Sequence, residues 1–347
     1  MSATGRSERD FATQLTDSEF VRVAPRAEGD AIAAAGLLLR ALSARSIPFQ
    51  ARVVPPVEKP PADDSTLPIG FPDGFSDERP TSASVADLVR ELDCEPDPGL
   101  TLAGCFLAGE SDAADTDLGQ QAGVGIPTAD PADGLAHSTL VHASFSGDET
   151  TAGAALEELA DDDRAVASLA ALETLAEDAS EYAATAIERA LRPHVTPDGP
   201  FETAEGLADV LDCLARDAPG IALALAMGHD VRVEALEAWR EHARTAHEAI
   251  RVADMGRYDG LFVARISEGP VETVARLLRD FRSPEPAVLV VSDDKAGAAS
   301  LSDDVGETMT TAANAVGGAG GGTARQGFAR LDCPPEAFLE AFREEVT

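Results

Sequence analysis

Hydrophobic positions along this chain mark strand-like and helix-like segments in succession. In FVRVAPRAEGDAIAAAGLLLRALSARSI a short β-rich apolar stretch is followed, after a glycine-containing turn, by a long alanine- and leucine-rich run. This predicts a strand at FVRVA, a glycine-containing turn and a helix. FQARVVPP predicts a second strand. Residues 55–83 lack periodicity and are rich in proline, aspartate and serine, so they read as a long surface loop. A short helix (SVADLVREL), a buried strand (LTLAGCFLA), a weaker strand (AGVGIP) and a strand at HSTLVHASF follow. Strands alternating with helices in this way argue for a mostly parallel sheet.

From Thr150 to about Leu191 the pattern turns helical, with Leu156, Leu159, Val166, Leu169, Leu172 and Leu175 at three- and four-residue steps. The break RPHVTPDGP then separates this stretch from a second unit. That unit opens with the helix ETAEGLADVLDCLAR and a long amphipathic helix over residues 231–252, which carries the single tryptophan, Trp239. It continues with strand GLFVARI, helix PVETVARLLRDF, strand PAVLVVSDD, a glycine stretch, an apparent strand at FARLDCP and the helix PEAFLEAFREEV. A second α/β domain is expected, with the boundary near residues 192–200.

Composition changes the picture through charge. Against 62 acidic residues stand 27 basic ones, a net charge of −35, and only Lys59 and Lys295 are lysines. A nucleic-acid binder working in dilute salt needs a basic surface, and this chain does not have one. The acidity is spread along the whole chain and is not gathered in a tail, which suits a protein from a multimolar-salt cytoplasm, where carboxylates hold water and salt screens their repulsion. No apolar run is long enough to cross a bilayer and the N-terminal MSATGRSERDFATQL is polar, so a soluble cytoplasmic protein without membrane partners is expected. The four cysteines, Cys94, Cys105, Cys213 and Cys333, show no C-x-x-C pairing and read as reduced thiols. The histidine pairs His137/His142 and His242/His247 lack the spacing that sets two imidazoles on one helical face, and read as solvated or structural.

Glu28 and Asp30 lie in the turn between the first strand and the first helix. Carboxylates two residues apart there can either point at one divalent ion or cap the helix behind them. EGDAIAAA after a strand, together with GGAGGG near the end of a second α/β domain, resembles the DHH phosphoesterase superfamily and its archaeal RecJ-like branch. The stretches TAEGLADVLDCLARDAPGIALALAMG and PVETVARLLRDFRSPEPAVLVVSDD resemble the family segments that enter and build its C-terminal domain. The resemblance implies an N-terminal DHH-type domain with a mostly parallel sheet and flanking helices over residues 1–165. It further implies a helical connector over 166–199 and a DHH-associated, nucleic-acid-binding domain over 200–347, with a cleft between the two α/β domains.

The chemistry implied by the family is phosphodiester hydrolysis at two manganese or magnesium ions held by several Asp and His ligands. Set against the family motifs, this chain departs at each one. Ala24 stands where the first histidine would be, Glu28 on the first aspartate and Asp30 on the second. Gly109 and Glu110 follow LTLAGCFLA, and PTADPADGLAH offers Asp130 and Asp133 but no adjacent histidine pair, His137 lying too far along. Glu28, Asp30, Glu110 and Asp130 are therefore the candidates for a residual all-oxygen metal site, with no catalytic residue assigned and no cofactor expected unless that site takes Mn or Mg.

GGAGGGTARQGFARL (317–331) can be a slack linker or a backbone shaped for close approach, and its place before one strand and one helix favours the second. The resemblance makes it the phosphate-facing turn of the family, with Thr323 in place of the histidine. Gly320, Gly321, Gly322, Thr323, Arg325, Arg330 and, from the first motif, Arg26 are then the expected phosphate contacts. The superfamily includes a eukaryotic replication-fork factor with eroded metal ligands that holds partner proteins and single-stranded DNA, and archaeal relatives associate with the GINS complex. The resemblance thus implies a binding or scaffold factor for single-stranded DNA or RNA in replication or repair, with replication proteins such as a GINS-type complex as partners. The alternatives are an active single-strand exonuclease or small-nucleotide phosphoesterase, and a protein-interaction module using the acidic surface and helix 231–252.

Overall fold

The computed structural model describes residues 8–61, 66–71, 79–157, 159, 162–176, 179–302 and 304–346. The elements are α1 (Glu8–Thr16), β1 (Val21–Pro25), α2 (Gly29–Ala44), β2 (Phe49–Ala51), β3 (Thr66–Ile69), α3 (Thr81–Glu91), α4 (Pro98–Ala108), α5 (Pro131–His137), α6 (Glu149–Ala155), α7 (Asp163–Thr174) and α8 (Ala183–Ala190). They continue with α9 (Ala204–Asp217), α10 (Pro219–Ala226), α11 (Arg232–Val252), β4 (Asp254–Tyr258), β5 (Leu261–Arg265), α12 (Val271–Phe281), β6 (Ala287–Val291), β7 (Lys295–Ser300), α13 (Val305–Ala315), β8 (Ala319–Gly322), β9 (Gln326–Arg330) and α14 (Pro335–Val346). The described residues fall into two compact units, one within Met1–Gln121, Gly125–Thr128 and Pro193–Trp239, the other within Ala122–Val124, Ala129–Arg192 and Arg240–Thr347.

The first unit carries a parallel three-stranded sheet in the order β2-β1-β3, registered by Val21 opposite Phe49 and Val23 opposite Leu67. Helix α2 is buried on every face from Ala31 to Leu39, as a helix apolar all round must be. It packs against α3, α4, α9 and α10. Trp239, at the end of this unit, is buried and donates its indole N–H to Asp209 Oδ2 at 3.1 Å.

The second unit is built on a six-stranded sheet in the order β4-β5-β6-β7-β9-β8, in which β5 and β6 pair in parallel and the other neighbours antiparallel. The inward residues Val263, Leu289, Ala298 and Ala329 join Val305 and Met309 of α13 and Phe338 and Phe342 of α14 in one core. Burying each of those phenylalanines contributes roughly 1.5–3 kcal/mol. The expected strands GLFVARI and PAVLVVSDD are β5 and β6, with the expected helix α12 between them.

Four expectations are corrected. LTLAGCFLA is helix α4, because its ends outweigh its strand-like composition: Asp97 caps the amide of Leu100 at 2.9 Å, Pro98 occupies the first turn, and Gly109 closes the helix in the left-handed region at φ 81°. HSTLVHASF is buried without forming a strand, since side chains satisfy its backbone: Leu140 N donates to Ser138 Oγ and Ala143 N to Ser146 Oγ. AGVGIP contributes one isolated bridge, Val124 to Leu191. The expected loop 55–83 contains β3, an edge strand whose position tolerates Pro68, and the start of α3; residues 62–65 and 72–78 of it lie outside the described residues. Residues 193–239 lie within the first unit, where α9 packs on α2 and α4.

Asp97 also pairs with Arg40 Nη1 at 2.5 Å. Asp97→Ala removes both the cap and the pair, and is expected to destabilise the protein by about 1 kcal/mol or slightly more in denaturant unfolding. An unchanged midpoint would show that α4 does not depend on this cap.

Candidate functional site

The carboxyl ends of parallel strands are where an α/β sheet usually presents its ligand site, because chains leave there for helix N-termini. Arg26 follows β1 directly, donating its amide to Ile69 O at 3.0 Å, while Ala27 N reaches Val54 O at 2.8 Å. Its guanidinium is buried within its own unit. Nε lies 3.1 Å from Glu28 Oε1, and the carbon of the fork sits 5.8 Å from the Phe71 ring centroid. Glu28 occupies the N-cap position of α2 but makes no side-chain cap bond; its carboxylate turns to Arg26 instead. It is thus not a helix cap, and its charge already has a cationic partner.

Asp30 reaches further. Its two oxygens accept from the amides of Thr81 (2.7 Å) and Ser82 (2.9 Å), the first two residues of α3, which no intrahelical carbonyl can serve. Asp30 therefore caps a helix remote in sequence, where the positive end of the helix dipole favours a carboxylate. Asp30 as a residue keeps partial solvent contact, yet desolvation of its carboxylate raises its pKa, against the opposing bonds from Ser82 and Thr81. Beside it, Cys105 Sγ lies 3.5 Å from Ser82 Oγ, and burial pushes this thiol up to about 11, as expected of an inert structural cysteine.

Glu110 is exposed and makes no cap bond at the short 3-10 turn Ser111–Ala114 that follows it. Asp130 belongs to the other unit, where it caps α5 through Ala132 N at 2.9 Å. Among the described residues, no three His, Cys, Asp or Glu side chains are grouped so that they could hold a metal ion. A donor set whose carboxylates are spent on a guanidinium and on amides does not suit a pair of divalent cations, which need bridging carboxylates free to bind them.

PTADPADGLAH conceals a network that the sequence reading missed. Asp133 receives a bidentate fork from Arg240, Nε to Oδ1 at 2.8 Å and Nη2 to Oδ2 at 2.7 Å. His137 Nδ1 lies 3.0 Å from the same Oδ1. Burial alone would raise the Asp133 carboxyl, but Arg240 and then His137 bring it below the usual range. The four-residue step from Asp133 to His137 on α5 was the available signal; no local signal indicates Arg240. Nearby, His142 and His247 stack at 5.3 Å with their Nδ1 atoms 3.1 Å apart, and His247 Nε2 lies 3.0 Å from Ser138 O. That carbonyl can only accept, so Nε2 carries the His247 proton and His142 Nδ1 donates to His247 Nδ1. The bond requires a neutral His247, whose bare Nδ1 accepts. Burial, above all, holds His142 well below the usual histidine value and His247 at about 4.

The glycine stretch is ordered backbone. Gly320, Gly321 and Gly322 lie in the edge strand β8, paired with β9. A Cβ on Gly320 would stand 2.4 Å from Met309 O, and one on Gly306 2.7 Å from Gly322 C, so the glycines let α13 lie directly on the strand. The first amides of α13 are satisfied in the process: Gly306 N donates to Thr323 O at 2.9 Å, and Glu307 N to Asp304 Oδ1 at 3.0 Å. Thr323 Oγ1 accepts from Arg325 N and Gln326 N, closing the turn between β8 and β9. Arg325 and Arg330 are exposed on this unit, whereas Arg26 is buried in the other.

This architecture has solved counterparts. RecJ from Thermus thermophilus, in complex with Mn2+, matches with a TM-score of 0.52 at 17% identity over 98% of this chain and 54% of that one. CDC45 from Entamoeba histolytica matches with a TM-score of 0.54 at 8% identity over 98% of each chain. The chain thus has a RecJ-like, DHH-type two-domain fold, with a parallel sheet in one unit and a second sheet with flanking helices in the other. A family model described as "Uncharacterized protein rrnAC1427, C-terminal domain" matches residues 253–344. "Uncharacterized protein rrnAC1427" of Haloarcula marismortui is 49% identical over 375 aligned positions, spanning all of both chains. The chain belongs to the rrnAC1427 family.

Gly320→Ala is expected to cost about 1–3 kcal/mol by overpacking β8 against α13, read as a lower denaturation midpoint; a slack linker would leave the midpoint unchanged. For the histidine pair, folding lowers both pKa values, so the unfolded chain binds more protons between about 4 and 6.5. Stability is complete above pH 6.5 and falls as pH drops toward 4, by a few kcal/mol. Denaturant midpoints across that window should show this slope, and His247→Gln should flatten it.

Proposed function

We propose that this protein binds single-stranded nucleic acid without cleaving it, acting as a binding or scaffold factor in DNA replication or repair. The observation that carries the proposal is the commitment of the two first-motif acids: Glu28 to Arg26, and Asp30 to the amides that open α3. In the phosphoesterase chemistry of the superfamily, such acids must face cations and water. Here they fix a strand-to-helix turn and a neighbouring helix. The RecJ and CDC45 likenesses support the choice of nucleic acid and replication proteins as partners, a GINS-type complex among them. The relative from Haloarcula marismortui, together with the net charge of −35, supports a working environment of concentrated salt in an archaeal cytoplasm.

Labelled single-stranded DNA and RNA oligonucleotides, incubated with the protein and Mn2+ in molar KCl, are expected to be bound and to remain intact. Cleavage that disappears in Glu28→Ala would overturn the proposal in favour of a metal-dependent phosphodiesterase. Asp30→Ala would strip the cap from α3, so Asp30→Asn, which keeps the shape and loses the charge, is the companion variant.

A further inference from the structure

Strand β4 closes one side of the six-stranded sheet, pairing with β5 alone. Its register with β5 runs unbroken from Asp254 opposite Arg265 to Tyr258 opposite Leu261, so no bulge interrupts it. Folded proteins usually blunt such an edge with a proline, a lysine, a bulge or a covering segment, because its outward N–H and C=O groups are a template for another strand. This strand, DMGRY, has neither proline nor lysine, and Asp254, Met255, Gly256 and Arg257 are all exposed. Met255 is 42% exposed and Val252, three residues earlier, 65%, so the edge is apolar as well as unpaired. The opposite edge differs: β8 offers Ala319 and three glycines, all half-buried.

The charges on β4 say what fits it. In a chain of net charge −35 this strand is neutral, with an acid at its start and a base near its end. A second copy of the same strand, laid antiparallel about a two-fold axis, meets it without setting carboxylate against carboxylate. Opposite residues of an antiparallel pair share a face, so a two-fold pair centres on one residue. Centring on Arg257 sets guanidinium on guanidinium, and centring on Met255 sets Asp254 against a glycine. Centring on Gly256 leaves bare backbone at the axis, where a Cβ would have nothing within 4 Å. Met255 then faces Arg257, which is already paired with Glu285 and offers its alkyl stem. Asp254 faces Tyr258, on the side of the sheet where Tyr258 packs against the core and carries the Arg343 guanidinium 4.0 Å from its ring centroid. Among the described residues Asp254 has no ion-pair partner in its own chain. In the pair it meets Arg343 of the other copy, and the two-fold axis repeats the contact.

We infer that two copies of this chain associate edge to edge through β4, antiparallel about Gly256, with Asp254 of each copy on Arg343 of the other. Concentrated salt permits this. At molar ionic strength the screening length shrinks to about 3 Å, so the negative charge of two copies no longer holds them apart while contact-range pairs keep their strength. Association through this edge is independent of any nucleic-acid binding.

The test is sedimentation equilibrium of the full chain in molar KCl, joined to disulfide trapping. The wild type is expected to be a dimer. Asp254→Arg and Arg343→Glu should each weaken association at least about tenfold by facing like charges, and Asp254→Arg/Arg343→Glu together should restore it. Under mild oxidation Gly256→Cys should cross-link into a dimer, since opposite Cα atoms of paired strands lie about 4.5–5.5 Å apart, within disulfide reach. Asp259→Cys, three residues along, sets its two thiols about 20 Å apart and should stay uncross-linked. The wild type, whose own thiols are buried or half-buried, gives the baseline. Trapping at residue 256 keeps the test decisive if a charge variant does not fold. A monomer at every concentration overturns the inference. So does a dimer that neither charge variant weakens, or equal cross-linking at residues 256 and 259, each of which places the interface elsewhere.

Discussion

The carboxylate of Asp30 holds the first turn of α3, and much of the first unit follows from that bond. A desolvated charge must be compensated, and two helix-terminal amides do so while the helix gains the cap its own sequence lacks, since Pro80 stands at its N-cap position. The bond fixes α3 against α2, the apolar helix on which α4, α9 and α10 also pack. An acid at this position therefore has a structural reason to persist whether or not any metal is bound.

Arginine is the second recurring device. Arg26 meets Glu28, Arg240 meets Asp133 with both nitrogens of its fork, and Arg279 meets Asp280. Each pair is buried or nearly so, where a planar, permanently charged group that donates in two directions compensates a carboxylate better than an ammonium would. In a chain with two lysines and 25 arginines, the cations at the buried carboxylates are guanidiniums, while most of the other described arginines stay exposed.

The family resemblance and the alternation of strands and helices were legible from the chain, as was most of the second sheet. The misreadings have physical causes. Apolar, strand-like LTLAGCFLA forms a helix because Asp97, Pro98 and Gly109 lie just outside the apolar run and supply its ends. HSTLVHASF stays irregular because its backbone finds partners in serine hydroxyls, in His247 and in Arg276, the latter two more than a hundred residues away. Periodicity is blind to partners of that kind.

The sequence by itself determined the class of fold, the acidic charge balance of the chain, and the identity of the acids and glycines at the motif positions. Only the tertiary structure decided what those residues do, because a carboxylate's role depends on which donor lies within hydrogen-bonding reach of it. Glu28 turned to a guanidinium, Asp30 to two amides and Asp130 to its own helix. The glycines at 320–322, read from the sequence as a phosphate-facing turn in preference to a tether, are the flat surface on which α13 rests. Helix α13 is close in sequence, but the contact exists only once β8 has paired with β9 and the sheet is closed beneath it.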